Sequence, residues 1–388
     1  MSELETRSSL LRLLNERRIL NTVRMHRKIS RSNLGREIRI ATPTVMRIVD
    51  TLLQKGWLEE MGPDDSTGGR PAILLQIRAQ AAGAIGIELG RVYARFVCVN
   101  LLCEVIHEEE IEVASLTNAS QLIEFVSRFI VRSGLDLANV IGVGIAAPGP
   151  LDPVKGQLLA TDDIGVQWHE LQLVELFQSQ LGVSAFLAND ADAAALGETW
   201  FGLGNDFNHI LFVLADAGVG AGMAIHRSIY CGAKNTAGEF SHTIVDMNGS
   251  LCSCGRRGCV NTAASAYAMM AAVREARHAD QGENVHTIIQ QAIQGSSPER
   301  EVVDRGLSYL SVGIFNFMQV FDPDIVILGG RTLLSAEYMV RETQERIRKL
   351  CQSSEVEVIP TSFGISAVAI GAAALALQHV YDHTQLID

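Results

Sequence analysis

Residues 242–261 read HTIVDMNGSLCSCGRRGCVN, which places Cys252, Cys254 and Cys259 within eight residues as C-x-C-G-x-x-G-C, ten positions after His242. Three thiolates and one imidazole are the ligand set of a closed tetrahedral zinc site. Gly255 and Gly258 let the backbone double back so that neighbouring sulfurs can face one centre. A disulfide or three buried free thiols is the competing assignment. Closely spaced Cys and His in an acidic chain of intracellular type favour the metal. With His242, Cys252, Cys254 and Cys259 all bound, no coordination position stays open, so the expected Zn2+ is structural and ties down a loop.

The remaining cysteines, Cys98, Cys103, Cys231 and Cys351, bring the total to seven, an odd number with no disulfide-like spacing. That predicts a reducing, cytoplasmic setting and ordinary core or loop thiols. The N-terminal MSELETRSSLLRLL lacks the basic-then-apolar layout of a signal peptide. The longest apolar run, over 367–377, stops at Gln378 and is too short to span a bilayer, so no membrane insertion is expected. A length of 388 residues suffices for two or three domains with real cores.

The net charge of −12 is unevenly spread. Residues 1–78 hold 14 Lys+Arg against 9 Asp+Glu, and the remainder 18 against 35. A basic head on an acidic body suggests that the head meets a polyanion. Within it, Leu10, Leu11, Leu13, Leu14, Ile19, Leu20 and Val23 predict a helix over 7–26 with a continuous apolar stripe. A second helix begins at Ser30, a good cap, with Leu34 and Ile38 on one face. After a short turn at 39–41, Thr42-Pro43 starts a third helix with Thr42 as its expected cap. Val45, Ile48, Val49 and Leu52 should face inward there, and Thr44, Arg47 and Thr51 outward.

Two short helices joined by a tight turn describe a helix-turn-helix. Strand-like segments at 57–60 and 71–77 flank PDDSTGGR and form a hairpin wing with Arg70 near its tip, suited to a narrow minor groove. The expected partner is therefore double-stranded DNA, rather than another protein held by a three-helix module. Arg27, Lys28, Arg31, Arg36 and Arg39 would contact phosphates, and Thr44 and Arg47 would read bases.

In the acidic body, strands at 84–89, 94–99, 140–146, 209–214 and 324–330 alternate with helices at 120–133, 191–201 and 302–321. This is an α/β pattern in two similar lobes, each opening with a hairpin and a Gly-rich turn. The expected layout is a winged helix-turn-helix over 1–78 and a first lobe over 79–188. A second lobe with the metal site covers 189–365, and a C-terminal helix near 366–388 packs back. The arrangement resembles the two-lobed, actin-like (ribonuclease H-like) sugar-kinase fold.

Six motifs make the resemblance specific: AAPGPLD (146–152), LANDADAAALGE (187–198), DAGVGAGMAI (216–225), AGEFSH (237–242), CSCGRRGC (252–259) and DPDIVILGG (322–330). By these the chain resembles the ROK family of repressors and sugar kinases, and its head resembles the regulator branch. The resemblance implies a sugar cleft between the lobes. Asn189 would bond sugar hydroxyls, and Asp190 would stand where the kinases keep their general base. Glu239 and His242 would contact the ring, with His242 also on the zinc. Asn261 stands where the family usually has Glu and would take that residue's sugar contact, and Ser241 replaces a Gly. A carboxylate accepting two hydroxyls makes charge-assisted bonds, and a metal-bound imidazole has a fixed tautomer.

The phosphate loops depart from the kinase pattern. Glu88-Leu89-Gly90-Arg91-Val92-Tyr93 replaces an Asp followed by a Gly-Gly-Thr-Lys-type loop, and Asp216-Ala217-Gly218-Val219-Gly220 replaces Gly-Thr-Gly-x-Gly. Losing the hydroxyl donor weakens a phosphate cradle. Asp216 is expected to repel a nucleotide's phosphates, a like-charge pair at ~4 Å costing on the order of 4 kcal/mol at an effective dielectric of about 20. The expected protein is therefore no enzyme but a DNA-binding repressor of sugar-metabolism genes, with a sugar or sugar phosphate as effector, Asp190 a vestigial base, and a homodimer or tetramer as the working form. The alternatives are a ROK sugar kinase and a regulator controlled by a sugar-transport protein partner.

Overall fold

The computed structural model describes residues 3–63, 73–159, 168, 170–279, 282–351 and 356–382. The head buries one face of each of three helices, Glu3–His26, Arg31–Ile38 and Thr42–Gln54. Ser30 caps the second as expected, its side chain accepting from the Asn33 amide. That helix ends at Arg39 in the left-handed region (φ 52). Thr42 is not the cap of the third helix: Ala41 holds that position without a side-chain bond, and Pro43 sits in the first turn, where its missing N–H costs nothing. The first helix is longer than its apolar stripe. Ile19, Leu20 and Val23 are buried, but Leu10, Leu11 and Leu13 are exposed, because the other head helices cover only its second half.

The wing pairs Leu58–Pro63 with Ile73–Ile77 antiparallel, and the two-residue strand Ile29–Ser30 joins the far side of Ile73–Ile77. The tip with Arg70 lies outside the described residues.

Both lobes repeat one sheet plan. In the first, the order is Ala185–Asn189, Val140–Ala147, Gly83–Leu89, Tyr93–Asn100, Val105–Glu112. The first three strands run parallel and the last two are antiparallel additions. In the second, Glu357–Pro360, Ile325–Gly329 and His209–Ala215 are the parallel trio, continued by Val219–Ile225 and Ser228–Ile229. Each opening hairpin therefore ends one sheet, and the parallel strands point their C-terminal ends at the space between the lobes, where ligands bind in open α/β sheets.

The helices Asp190–Phe201 and Ala367–Tyr381 cross in that space. A Cβ on Gly144 would overlap the Ala372 carbonyl, and one on Gly371 would overlap the Ala193 carbonyl. Backbones thus touch where the last helix meets the first sheet and where the two helices meet. The stretch Gly364–Tyr381 is long and apolar enough to pass for a membrane span, longer than the run seen in the sequence, but 67% of it is buried inside the body as a core helix. Head and body share one core: Ile19, Leu20 and Val23 pack in a cluster with Ala82, Trp200, Leu377 and Tyr381. The division near residue 78 separates charges, not cores.

Adding a methyl at Gly144 pushes strand and helix backbones apart, so Gly144→Ala is expected to cost about 3 kcal/mol, the upper range for overpacking. A urea midpoint equal to that of the parent chain would contradict the close approach.

Candidate functional site

A cleft of about 1220 Å³ opens between the lobes, lined by Asn189, Asp190, Asp192, Glu239, Ser241 and His242 on one side and by Glu88, Arg91, Asp216, Gly218 and Arg331 on the other. Strand Ala185–Asn189 delivers the first group to the start of helix Asp190–Phe201. Asn189 is the cap, its Oδ1 accepting from the Ala191 amide at 3.1 Å, and Asp190 Oδ1 accepts from the same amide at 2.8 Å. Capping and lining the cleft are thus one placement, since a cap side chain stands at the helix mouth. The positive end of the helix favours the carboxylates there.

Burial opposes them. It raises Asp190, with Asp216 adding to the rise and Arg91 countering it. It also pushes Asp192 up to about 7, helped by the charges of Asp190 and Glu239. Asp192 had no role in the sequence reading; its place two residues into the helix, next to Asp190, was the available signal.

Glu239 and His242 flank the short 3-10 turn Phe240–His242 and meet at 3.8 Å through His242 Nε2. The other ring nitrogen, Nδ1, stands 3.5 Å from Cys252 Sγ, and Cys254 and Cys259 sulfurs are 3.6 Å apart. All four ligand atoms lie within 4.8 Å of one another. A tetrahedron with Zn–S bonds of about 2.3 Å has edges of about 3.8 Å, so the cluster fits a metal ion such as zinc. Gly258 makes the loop possible: its φ is +68, and a Cβ would overlap the Asp246 carbonyl. A metal there would fix His242 by Nδ1 and leave Nε2 facing Glu239 and the cleft.

Asn261 departs from its expected place. It is not among the described residues lining the cleft; its Oδ1 accepts from the Val219 amide at 3.2 Å and so holds the second Gly-rich turn.

The side of the cleft formed by the two Gly-rich turns is more fully occupied than the sequence suggests. Arg91 places both terminal nitrogens 3.4 Å from where a Cβ of Gly218 would be, and its guanidinium lies 6.0 Å from the Tyr267 ring centre. Asp216 is not a bare repelling charge: the Ala217 amide donates to Oδ1, Arg331 faces it, and burial raises its pKa. Arg331 also pairs with Glu110 of the first lobe and stacks over Tyr93 at 4.9 Å, bridging the cleft. Burial, then Asp216, drives Glu88 up to about 8, and its Oε2 finds no hydrogen-bond partner among the described residues.

In the head, Arg31, expected on a phosphate, pairs with Asp50 (2.7 Å) and Glu60 (2.9 Å), bracing second helix, third helix and wing. Arg39 and Arg47 are exposed and make no ion pair among the described residues, and Thr44 is half-buried beside them.

A two-lobed actin-like body of the sugar-kinase type carrying a winged helix-turn-helix is the class these features define. The ROK family pattern matches residues 84–379. The xylose repressor of Caldicellulosiruptor bescii is 26% identical over 389 residues, covering 95% of this chain and 96% of that one. The DNA-binding transcriptional dual regulator NagC of Escherichia coli K12 is 27% identical over 332 residues, covering 83% and 81%. The crystal structure of a ROK family transcriptional regulator, a homologue of the E. coli MLC protein, superposes with a TM-score of 0.79 at 24% identity, covering 97% of this chain and 98% of that one. The chain belongs to the ROK family, on its transcriptional-regulator side, similar to the xylose repressor and NagC.

Metal analysis of the purified chain is expected to find one ion per chain, lost in Cys259→Ser together with several degrees of melting temperature; a metal-free parent chain of equal stability would remove the site. Glu88 supplies a pH test. Its folded-state pKa lies above the ordinary 4.5, so its contribution to stability is complete below that value and is lost as pH rises toward about 8. Glu88→Gln is expected to flatten the fall in melting temperature over that window, and an unchanged slope would show the carboxyl to be ordinary.

Proposed function

We propose that this chain represses sugar-metabolism genes by binding a DNA operator through its head, and that a sugar or sugar phosphate held in the cleft changes that binding. The observation that carries the reading is the contrast within one cleft. On one side Asn189, Asp190, Glu239 and His242 converge as hydroxyl-binding groups; on the other Arg91 lies across the Gly218 turn that a nucleotide's phosphates would need. On this reading Asp190 is a vestigial base, and Arg91 occupies the approach a phosphoryl donor would take along the Gly218 turn.

Zinc is the metal the donor set favours, and its part is structural, holding His242 toward the sugar. The residues offered to DNA are Arg39, Thr44 and Arg47, with Arg70 at the wing tip; the working form is a dimer or tetramer, since a helix-turn-helix reads paired half-sites. Xylose is the first sugar to try, from the relatives' names, followed by N-acetylglucosamine. Cytoplasmic location follows from the same function. Sequestration by a sugar-transport protein is an alternative route of control.

The second reading, a sugar kinase with a DNA-binding head, rests on the retained Asp190. ADP release with common hexoses, pentoses and amino sugars decides between them: the expected rate is at background, and enzyme-like turnover would overturn the repressor reading.

Asp190→Ala and Glu239→Ala are expected to leave sugar-free DNA affinity unchanged and to cut the sugar response at least about tenfold, as loss of a charge-assisted bond of about 1.5–3 kcal/mol implies. Gel shifts with and without sugar show this; full response in both variants would exclude the cleft as the effector site. Arg47→Ala should weaken DNA binding and leave calorimetric sugar affinity intact.

A further inference from the structure

We propose that Arg24, Trp200 and Arg227 form the relay through which the cleft reports its occupancy to the DNA-binding head; this rests on the regulator reading above. Two rigid elements run from the cleft to Trp200. Helix Asp190–Phe201 starts with Asp190 and Asp192 on the cleft wall and, over 12 residues or about 18 Å, ends at Trp200 and Phe201. Strand Val219–Ile225 starts at the turn beside Arg91 and ends next to Arg227. The two move as one body, because a Cβ on Gly222 would overlap the Ala191 carbonyl.

Their far ends meet on the indole. Trp200 Nε1 donates to the Arg227 carbonyl at 3.0 Å, and the Arg227 guanidinium lies 5.2 Å from the ring centre. From the head, Arg24 reaches the same ring at 5.3 Å and donates from Nη1 to the Trp200 carbonyl at 2.6 Å. It also covers Phe201 at 4.9 Å and Tyr381 of the last helix at 5.4 Å. Arg24 is buried, and burial lowers it to about 10; Nε and Nη2 donate to Asn21 Oδ1 of its own helix, which leaves Nη1 and the guanidinium face for the body.

A guanidinium fork is directional, and small displacements of the helix end break its bonds. The first helix carries any such shift onward: Arg18 Nη2 donates to the Ile38 carbonyl at 2.8 Å, at the last residue before the helix-turn-helix turn. Arg17 is a second bond between head and body but bypasses the indole, donating to the Asp382 carbonyl at 3.1 Å. It therefore serves as a control for docking alone.

The test uses the full chain, a duplex selected from random DNA by the parent protein, and D-xylose, N-acetylglucosamine and their phosphate esters as probes. In Arg24→Met, sugar affinity by calorimetry and sugar-free DNA affinity by anisotropy are expected within about threefold of the parent, while the sugar-dependent change in DNA affinity, roughly 5–150-fold in coupled systems, falls below about twofold. Arg17→Met keeps the change. Trp200→Phe, which retains an aromatic face but loses the bond to Arg227, reduces it and guards against a folding defect in Arg24→Met. A parent-like response in Arg24→Met, or an equal loss in Arg17→Met, overturns the relay. If the parent answers to none of the probes, the effector reading fails, and hydrogen exchange of the ligand-free proteins judges the relay by itself. Arg24→Met is then expected to speed exchange in both Glu3–His26 and Asp190–Phe201, and a change confined to the first helix overturns it.

Discussion

Helix Asp190–Phe201 and helix Ala367–Tyr381 cross with no side chain between them: Gly371 lies under the Ala193 carbonyl, and a Cβ on Gly197 would come within 2.9 Å of the Gly371 Cα. The last helix is seated on the first sheet by the same device at Gly144, and Asp190–Phe201 is seated on the second sheet at Gly222. The crossing is therefore where the two sheets are joined into one molecule. It is sealed by Glu198, fully buried, whose carboxylate accepts from Thr361 and Ser362 side chains and from the Leu203 and Ser362 amides. A buried carboxylate is tolerable only with such a complete set of donors. Three of the four, from Thr361 and Ser362, come from the segment joining the last strand to the last helix, so the seal is complete only when that segment is in place.

The cleft inherits its chemistry from that crossing. Packing the helix so tightly directs its N-terminus into the space between the lobes, and with it the cap Asn189 and the carboxylates of Asp190 and Asp192. The dipole favours their charge and burial opposes it, which leaves Asp192 at about 7 and Asp190 raised. From across the cleft Arg91 counters the rise of Asp190, and Arg331 counters that of Asp216.

Much of this was legible in the chain order of residues. The helix-turn-helix announced itself through Ser30, Pro43 and the spacing of Leu34, Ile38, Val45, Ile48, Val49 and Leu52, since capping and periodicity act within a turn or two. The metal cluster was legible for the same reason, with three of its ligands inside eight residues. Apart from the cap at Ala41, what the sequence does not show concerns partners distant in the chain. The ion pairs of Arg31 with Asp50 and Glu60 are of this kind. So is the bond that the Val219 amide donates to Asn261. Leu10, Leu11 and Leu13 fit a buried stripe on a helix whose first half nothing in the head covers. Asp216 read as a bare charge until Arg331, 115 positions later, was placed beside it.

By itself the sequence determined the alternation of strands and helices, the basic head, the Cys/His cluster and the family, because each depends on short-range stereochemistry, composition or contiguous motifs. Only the tertiary structure decided that head and body share one core, that Arg91 lies across the Gly218 turn, and that Arg24 closes on Trp200. The last of these joins residues 176 positions apart. They depend on how two sheets and two crossing helices come to rest against each other, and the energy of burying a guanidinium or omitting a Cβ exists only once that approach is made.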